Sequence, residues 1–161
     1  MHAMPSLSLQ RCLHVATQAA RQTGRLLVAR MGRPKVIRTK RSMIDLVTDV
    51  DVACERRLHQ ILLRAFPDHG FQGEERTRIR PEAPYQWLVD PVDGTTNFVH
   101  GVPVFAISIA LLRRDHVVVG LVYDPTRDEA FSAIRGHGAW LNGHRIRVSR
   151  VRRLGHSLLS T

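Results

Sequence analysis

One change of hydrophobic period, near residue 85, limits what this chain can fold into. Upstream of it, Leu9, Leu13, Ala16, Ala20 and Leu27 recur at helical spacing and predict a first helix from about Ser6 to Arg30, ended by Gly32 and Pro34. Leu58, Ile61, Leu62 and Ala65 make the apolar stripe of a second helix, which Pro67 closes. Its start falls near Asp49 or Asp51, acidic residues suited to a helix N-terminus. Val36 to Lys40 suggests a short strand between the helices, and Arg41 to Thr48 a loop or hairpin. Downstream the pattern becomes that of strands: Gln86 to Val89, Val104 to Leu112, Val117 to Tyr123 and Glu129 to Ile134. Arg113-Arg114-Asp115-His116 and Asp124-Pro125 supply turns, and Asn142-Gly143 inside Ala139 to Val148 is a strong hairpin signal. Gly155 to Thr161 reads as one more strand beginning. Two helices followed by an antiparallel meander predict a single α+β layered domain over residues 1–161.

A chain of 161 residues can bury a core without covalent staples. Its two cysteines, Cys12 and Cys54, make neither a disulfide framework nor a metal-ligand spacing. The apolar run Val102 to Leu112 is too short to span a bilayer, and Met1 to Arg21 lacks the layout of a signal peptide. The expectation is a soluble cytoplasmic protein that does not enter a membrane.

Net charge is +10, from 24 basic and 14 acidic residues. The basic residues concentrate in two stretches, Arg30 to Arg41 and Arg145 to Arg153. Such a balance attracts anions, either phosphorylated small molecules or nucleic acid, and equally suits a solvated surface. No aromatic residue interleaves with either stretch, so a stacking platform for single strands is not evident.

Chemistry concentrates in Asp90-Pro91-Val92-Asp93-Gly94-Thr95-Thr96-Asn97-Phe98. Two aspartates leave a predicted strand end with Pro91 between them, so a tight turn could converge their carboxylates. Magnesium takes one or two carboxylates, completed by water and substrate phosphate. Gly94 tolerates unusual backbone angles, and the amides of Gly94, Thr95 and Thr96 could approach a phosphate at the start of a short helix. The same residues also make an ordinary polar turn with helix caps. Two further acidic segments precede it, Asp45-Leu-Val-Thr-Asp-Val-Asp51 and Gly73-Glu74-Glu75. Alone, the first could simply cap the second helix, and the second could be solvated surface.

In this order the three segments resemble the inositol monophosphatase family. The match runs through Asp45 to Asp51 with Glu55 following, Gly73-Glu-Glu75, and Trp87-Leu-Val-Asp-Pro-Val-Asp-Gly-Thr-Thr-Asn-Phe98. It continues through Val99 to Pro103, Phe105 to Ile109, Tyr123-Asp-Pro125 and Gly136 to Gly143. The resemblance implies Mg²⁺ as cofactor and a small phosphate monoester, inositol 1-phosphate above all, as substrate. It assigns the first magnesium to Glu74, Asp90 and the Val92 carbonyl, and a second, weaker site to Asp90 and Asp93. Thr95, paired with Asp51, would orient or activate the attacking water, with Glu74 also in the catalytic set. Gly94, Thr95 and Thr96 would hold the phosphate, bordered by Glu74 and Asp93. Lys40 falls where the family often has a basic residue near the metals. A homodimer is a further expectation from the family.

The resemblance also implies a longer chain, with a second α/β layer and a Trp-Asp motif that completes the second metal site. Trp87 and Trp140 are each followed by leucine, so that motif is absent here. A truncated relative is therefore expected, short of one ligand for the second metal. Three functions stay open: a phosphatase, a catalytically inactive relic with residual metal binding, and a basic module that binds anions or nucleic acid.

Overall fold

The Ser8 side chain accepts a hydrogen bond from the Arg11 amide at 3.3 Å and starts α1, Leu9–Arg30. The computed structural model describes residues 8–32, 37–39, 46–75 and 77–158. The buried stripe of α1 is Cys12, Ala16, Ala19, Ala20, Thr23, Gly24 and Leu27, mostly small residues that let the helix lie close to what it covers. In α2, Asp49–Ala65, the stripe Val50, Cys54, Leu58 and Leu62 repeats every fourth residue. Asp51 and Glu55, one position further on, are buried beside it. Asp49 and Asp51 lie in the first turn, where the helix dipole favours negative charge. Both cysteines are buried and free.

Two short strands, β1 (Ile37–Thr39) and β2 (Leu46–Thr48), pair antiparallel between the helices. The remaining strands form one sheet. In chain order they are β3 (Gly70–Gly73), β4 (Arg78–Ile79), β5 (Tyr85–Asp93), β6 (Ala106–Arg113), β7 (His116–Asp124), β8 (Glu129–Ile134), β9 (Ala139–Leu141) and β10 (His144–Ile146). The spatial order is β10-β9-β8-β7-β6-β5-β3-β4, antiparallel except where β3 runs parallel to β5. A short helix, α3 (Thr95–Val99), follows β5.

Alternation along the strands decides which face is buried. Trp87 and Val89 of β5, Ile107, Ile109 and Leu111 of β6, and Val119, Leu121 and Tyr123 of β7 are buried in one core with the stripes of α1 and α2. The opposite face carries Leu88, Asp90, Ser108, Ala110, Gly120 and Val122, all at least partly exposed.

The turn chemistry read from the sequence holds. Arg114 and Asp115 both have positive φ (46° and 65°), as do Asn142 (48°) and Gly143 (82°), which suits two-residue hairpins to the strand twist. Three expectations are corrected. β5 does not stop at Val89 but runs on to Asp93, so the two aspartates belong to a strand rather than a tight turn. β3 and β4 were not foreseen: Gly-Phe-Gln-Gly has no alternation to show, and only Phe71 is a large apolar anchor. The described part of the predicted strand Gly155 to Thr161 carries a 3-10 turn, Leu154–His156, instead, and residues 159–161 lie outside the described residues. Residues 147–158 are exposed, and none of the described strands pairs with them. The predicted start of α1 at Ser6 lies outside the described residues, as do Val36 and Lys40 at the ends of the first predicted strand. Among the described residues no helix is long and apolar enough to cross a membrane.

One histidine makes the core sensitive to acid. His69 is 6% exposed, stacked between Phe66 and Tyr85 at ring distances of 4.9 and 5.1 Å. Its Nδ1 is buried without a hydrogen-bond partner. Burial lowers its pKa below 6.5, with neighbouring Asp68 opposing. The unfolded chain therefore binds the proton more readily, and stability falls as pH drops below about 6.5. Urea unfolding midpoints between pH 8 and 5 should decline for the parent and decline less for His69→Phe.

Candidate active site

The parallel pairing of β3 with β5 builds one half of the site. It sets Gly73 beside Val89, and the Glu74 amide then donates to the Val89 carbonyl at 3.1 Å. Glu74 is thereby carried next to Asp90, and the two carboxyl groups are hydrogen-bonded to each other. Such a bond requires that they share a proton. Burial, then the hydrogen bond and charge of Glu74, push the Asp90 pKa up to about 7; Asp93 adds to the rise and the Val92 amide opposes it. Asp90 and Glu74 border an open depression on the sheet face opposite the helices, with Gln72, Leu88 and Ser108 around it.

Between Asp90 and Asp93 the pairing with β6 shifts register. Pro91 has no amide to give to the ladder, and Pro91 and Val92 are both buried, which breaks the strand alternation. The Val92 amide turns back to Asp90 Oδ1 at 3.0 Å. The chain therefore changes direction at a register shift within the strand rather than at a tight turn. Asp93 is exposed at the end of β5, close enough to raise the proton affinity of Asp90.

The other half of the site joins α2 to α3. Thr95 Oγ1 lies 2.9 Å from the Val92 carbonyl and 3.2 Å from Asp51 Oδ1. Asp51 is only 1% exposed. The predicted pairing of Thr95 with Asp51, 44 residues apart in sequence, is therefore present. Gly94 precedes α3 with φ of 98°, and a Cβ there would approach the Val104 carbonyl to 3.0 Å. Only glycine fits both demands. Thr96 is exposed on α3, and Lys40 lies outside the described residues.

The donor set suits magnesium within limits. Two adjacent carboxylates that must share a proton in the absence of a cation are what a hard divalent ion would relieve. Among the described residues, no three His, Cys, Asp or Glu side chains converge on one point. Asp93 is thus a neighbour of the Glu74–Asp90 pair rather than part of a closed cage. Glu55 stands outside the residues predicted for the site, and its carboxylate accepts from the Glu75 amide at 2.6 Å and from the Thr77 hydroxyl. The signal was available: Asp51 and Glu55 are four residues apart and therefore share a helix face.

Residues 8–161 match the model of the inositol monophosphatase family. The chain belongs to that family. It is 43% identical over 157 residues to Nus factor SuhB of Pseudomonas aeruginosa, covering 95% of this chain and 58% of that protein. Inositol monophosphatase 2 of Solanum lycopersicum is 42% identical over 159 residues, with 95% and 59% covered. The crystal structure of extragenic suppressor protein suhB from Bartonella henselae superposes with a TM-score of 0.84 at 42% identity, over 88% of this chain and 55% of that one. An IMPase/NADP phosphatase complexed with Mg²⁺ and phosphate aligns at 31% identity with a TM-score of 0.68, over 78% and 48%. This member of the inositol monophosphatase family thus spans a little under three fifths of the length of these curated relatives. The expected α+β architecture, with helices on a mainly antiparallel sheet, is that of the matching part of the family fold.

Proposed function

We propose that the chain hydrolyses a phosphate monoester, with inositol 1-phosphate the foremost substrate, using Mg²⁺ held by Glu74, Asp90 and the Val92 carbonyl. The observation that carries this reading is the pairing of Glu74 with Asp90 on the same bulged segment that leads to Thr95 and Asp51. The Mg²⁺–phosphate complex of the related IMPase/NADP phosphatase supports the choice of ion and ligand. When bound, magnesium would neutralise phosphate charge and lower the pKa of water. Thr95, oriented by Asp51 and the Val92 carbonyl, holds the attacking water in line with the ester bond. The amides at the start of α3 face no acceptor within their own turn and bind the phosphate oxygens, while Gly94 lets the backbone come close. Asp93, exposed at the strand end, supports a second ion or the substrate.

Phosphate release from inositol 1-phosphate by the purified chain should require Mg²⁺ and stop when EDTA is added. A folded chain that releases no phosphate with Mg²⁺ present would contradict the reading and leave the inactive relic.

A second reading has its own observation. Arg145, Arg147, Arg150, Arg152 and Arg153 are all exposed, on and just after the last strand of the sheet, and several relatives bear the name Nus factor. A polyanion such as RNA would bind there through its phosphates, with affinity falling steeply as salt rises. Replacing Arg150, Arg152 and Arg153 with glutamine should reduce that salt slope. No retention of RNA at 50 mM salt removes this reading.

A further inference from the structure

Asp51 and Glu55 leave the same face of α2 one turn apart, and at 1% and 2% exposure both are carboxylates taken out of water. Such burial is costly unless the oxygens are met by donors. Asp51 meets Thr95, whereas Glu55 meets the segment that carries Glu74. Glu55 Oε2 accepts from the Glu75 amide at 2.6 Å, and Oε1 accepts from the Thr77 hydroxyl. The Gly73 amide closes the same segment on the Thr77 carbonyl at 2.8 Å. Gly73 itself lies against the Glu55 carboxyl, so any side chain at that position would run into it. Glu74 is thus bracketed: Gly73 before it is pressed on Glu55, Glu75 after it is tied to Glu55, and its own amide is fixed to Val89.

We propose that Glu55 is a positioning residue for the cation site, holding Gly73, Glu75 and Thr77 so that the Glu74 carboxylate stays beside Asp90. This rests on the phosphatase reading above. Glu55 reaches the ion only through the segment it anchors, so what matters is its acceptor geometry rather than its charge. One buried helix face then sets both halves of the site, Asp51 through Thr95 and Glu55 through Glu74. Partners that orient metal ligands change affinity by about 10- to 100-fold when removed.

The test is Mn²⁺ binding by electron paramagnetic resonance, with hydrogen exchange of the Glu75 amide followed alongside. Glu55→Ala should weaken Mn²⁺ binding at least about tenfold and speed exchange at Glu75. Glu55→Gln can still accept from the Glu75 amide through its oxygen, and its NH₂ can donate to a reoriented Thr77 hydroxyl, so it should stay within about threefold of the parent. Thr77→Val, which removes one of the two donors with little change of volume, should fall between them and guards against Glu55→Ala failing to fold. Parent-like binding in a folded Glu55→Ala, or in Thr77→Val if Glu55→Ala does not fold, overturns the proposal. So does a Glu55→Gln that loses as much as Glu55→Ala, because charge rather than position would then be the cause. No Mn²⁺ binding by the parent chain overturns the metal reading itself, and the proposal with it.

Discussion

On the phosphatase reading, Asp90→Asn should all but stop phosphate release and, at neutral pH, should make the metal-free chain harder to unfold. The two effects share one cause. Asp90 is partly buried against Glu74, and its pKa is raised from 3.8 to about 7. Folding therefore opposes its ionisation. The stability it contributes is complete below about pH 4 and is lost as pH rises through about 7. Asparagine keeps the shape without the charge, so the variant should match the parent at pH 4 and exceed it at pH 8 by about 1 kcal/mol in urea. Excess Mg²⁺ reverses the order, because a ligand that binds only the folded parent stabilises only the parent. Turnover falls at least about a thousandfold, equivalent to about 4 kcal/mol of transition-state stabilisation. Equal turnover in the two chains would remove Asp90 from the site.

On the same reading, Thr95→Val should lose turnover while substrate binding persists. The Thr95 hydroxyl stands between the Val92 carbonyl and the Asp51 carboxylate, and valine keeps its shape without the hydroxyl. A group that orients or deprotonates water is worth about 10²- to 10⁴-fold in rate. The expected result is a drop of about 10²-fold or more in kcat, with KM for inositol 1-phosphate within about threefold of the parent. Thr95→Ser restores the hydroxyl and should recover most of the rate. A valine variant with parental kcat would leave Thr95 as a helix-start residue only.

Much of this was legible from side-chain periodicity. The stripes of α1 and α2 and the alternation of β6 to β8 report burial directly, because each faces one continuous core. Asn142-Gly143 marked its hairpin through backbone conformation alone. The elements that escaped owe their form to distant partners. β3 exists because β5 offers it an edge, and Phe71 alone gave little pattern to read. The bulge at Pro91 and Val92 depends on the pairing of Asp90 with Ser108 and of Asp93 with Ala106, which a local reading of the motif turned into a tight turn. At Gly155 the opposite error arose: residues of strand-forming type lie where, among the described residues, no strand pairs with them. In the candidate site, the motif chemistry and the resemblance pointed to Asp90 and Thr95, but the bracketing of Glu74 by Glu55 lies in contacts 20 and 22 residues apart. Periodicity places Asp51 and Glu55 on one face; it does not say that both point inward.

The reading stands or falls on whether Glu74 and Asp90 together hold a divalent cation. Calorimetric titration of Mg²⁺ into the parent chain and into Asp90→Asn at pH 7.0 tests it most directly. The parent should show saturable binding whose heat varies with the ionisation enthalpy of the buffer, since a cation held there would displace the proton shared by Glu74 and Asp90. The variant should show neither. Identical isotherms for the two chains, or binding without proton release, would contradict the account.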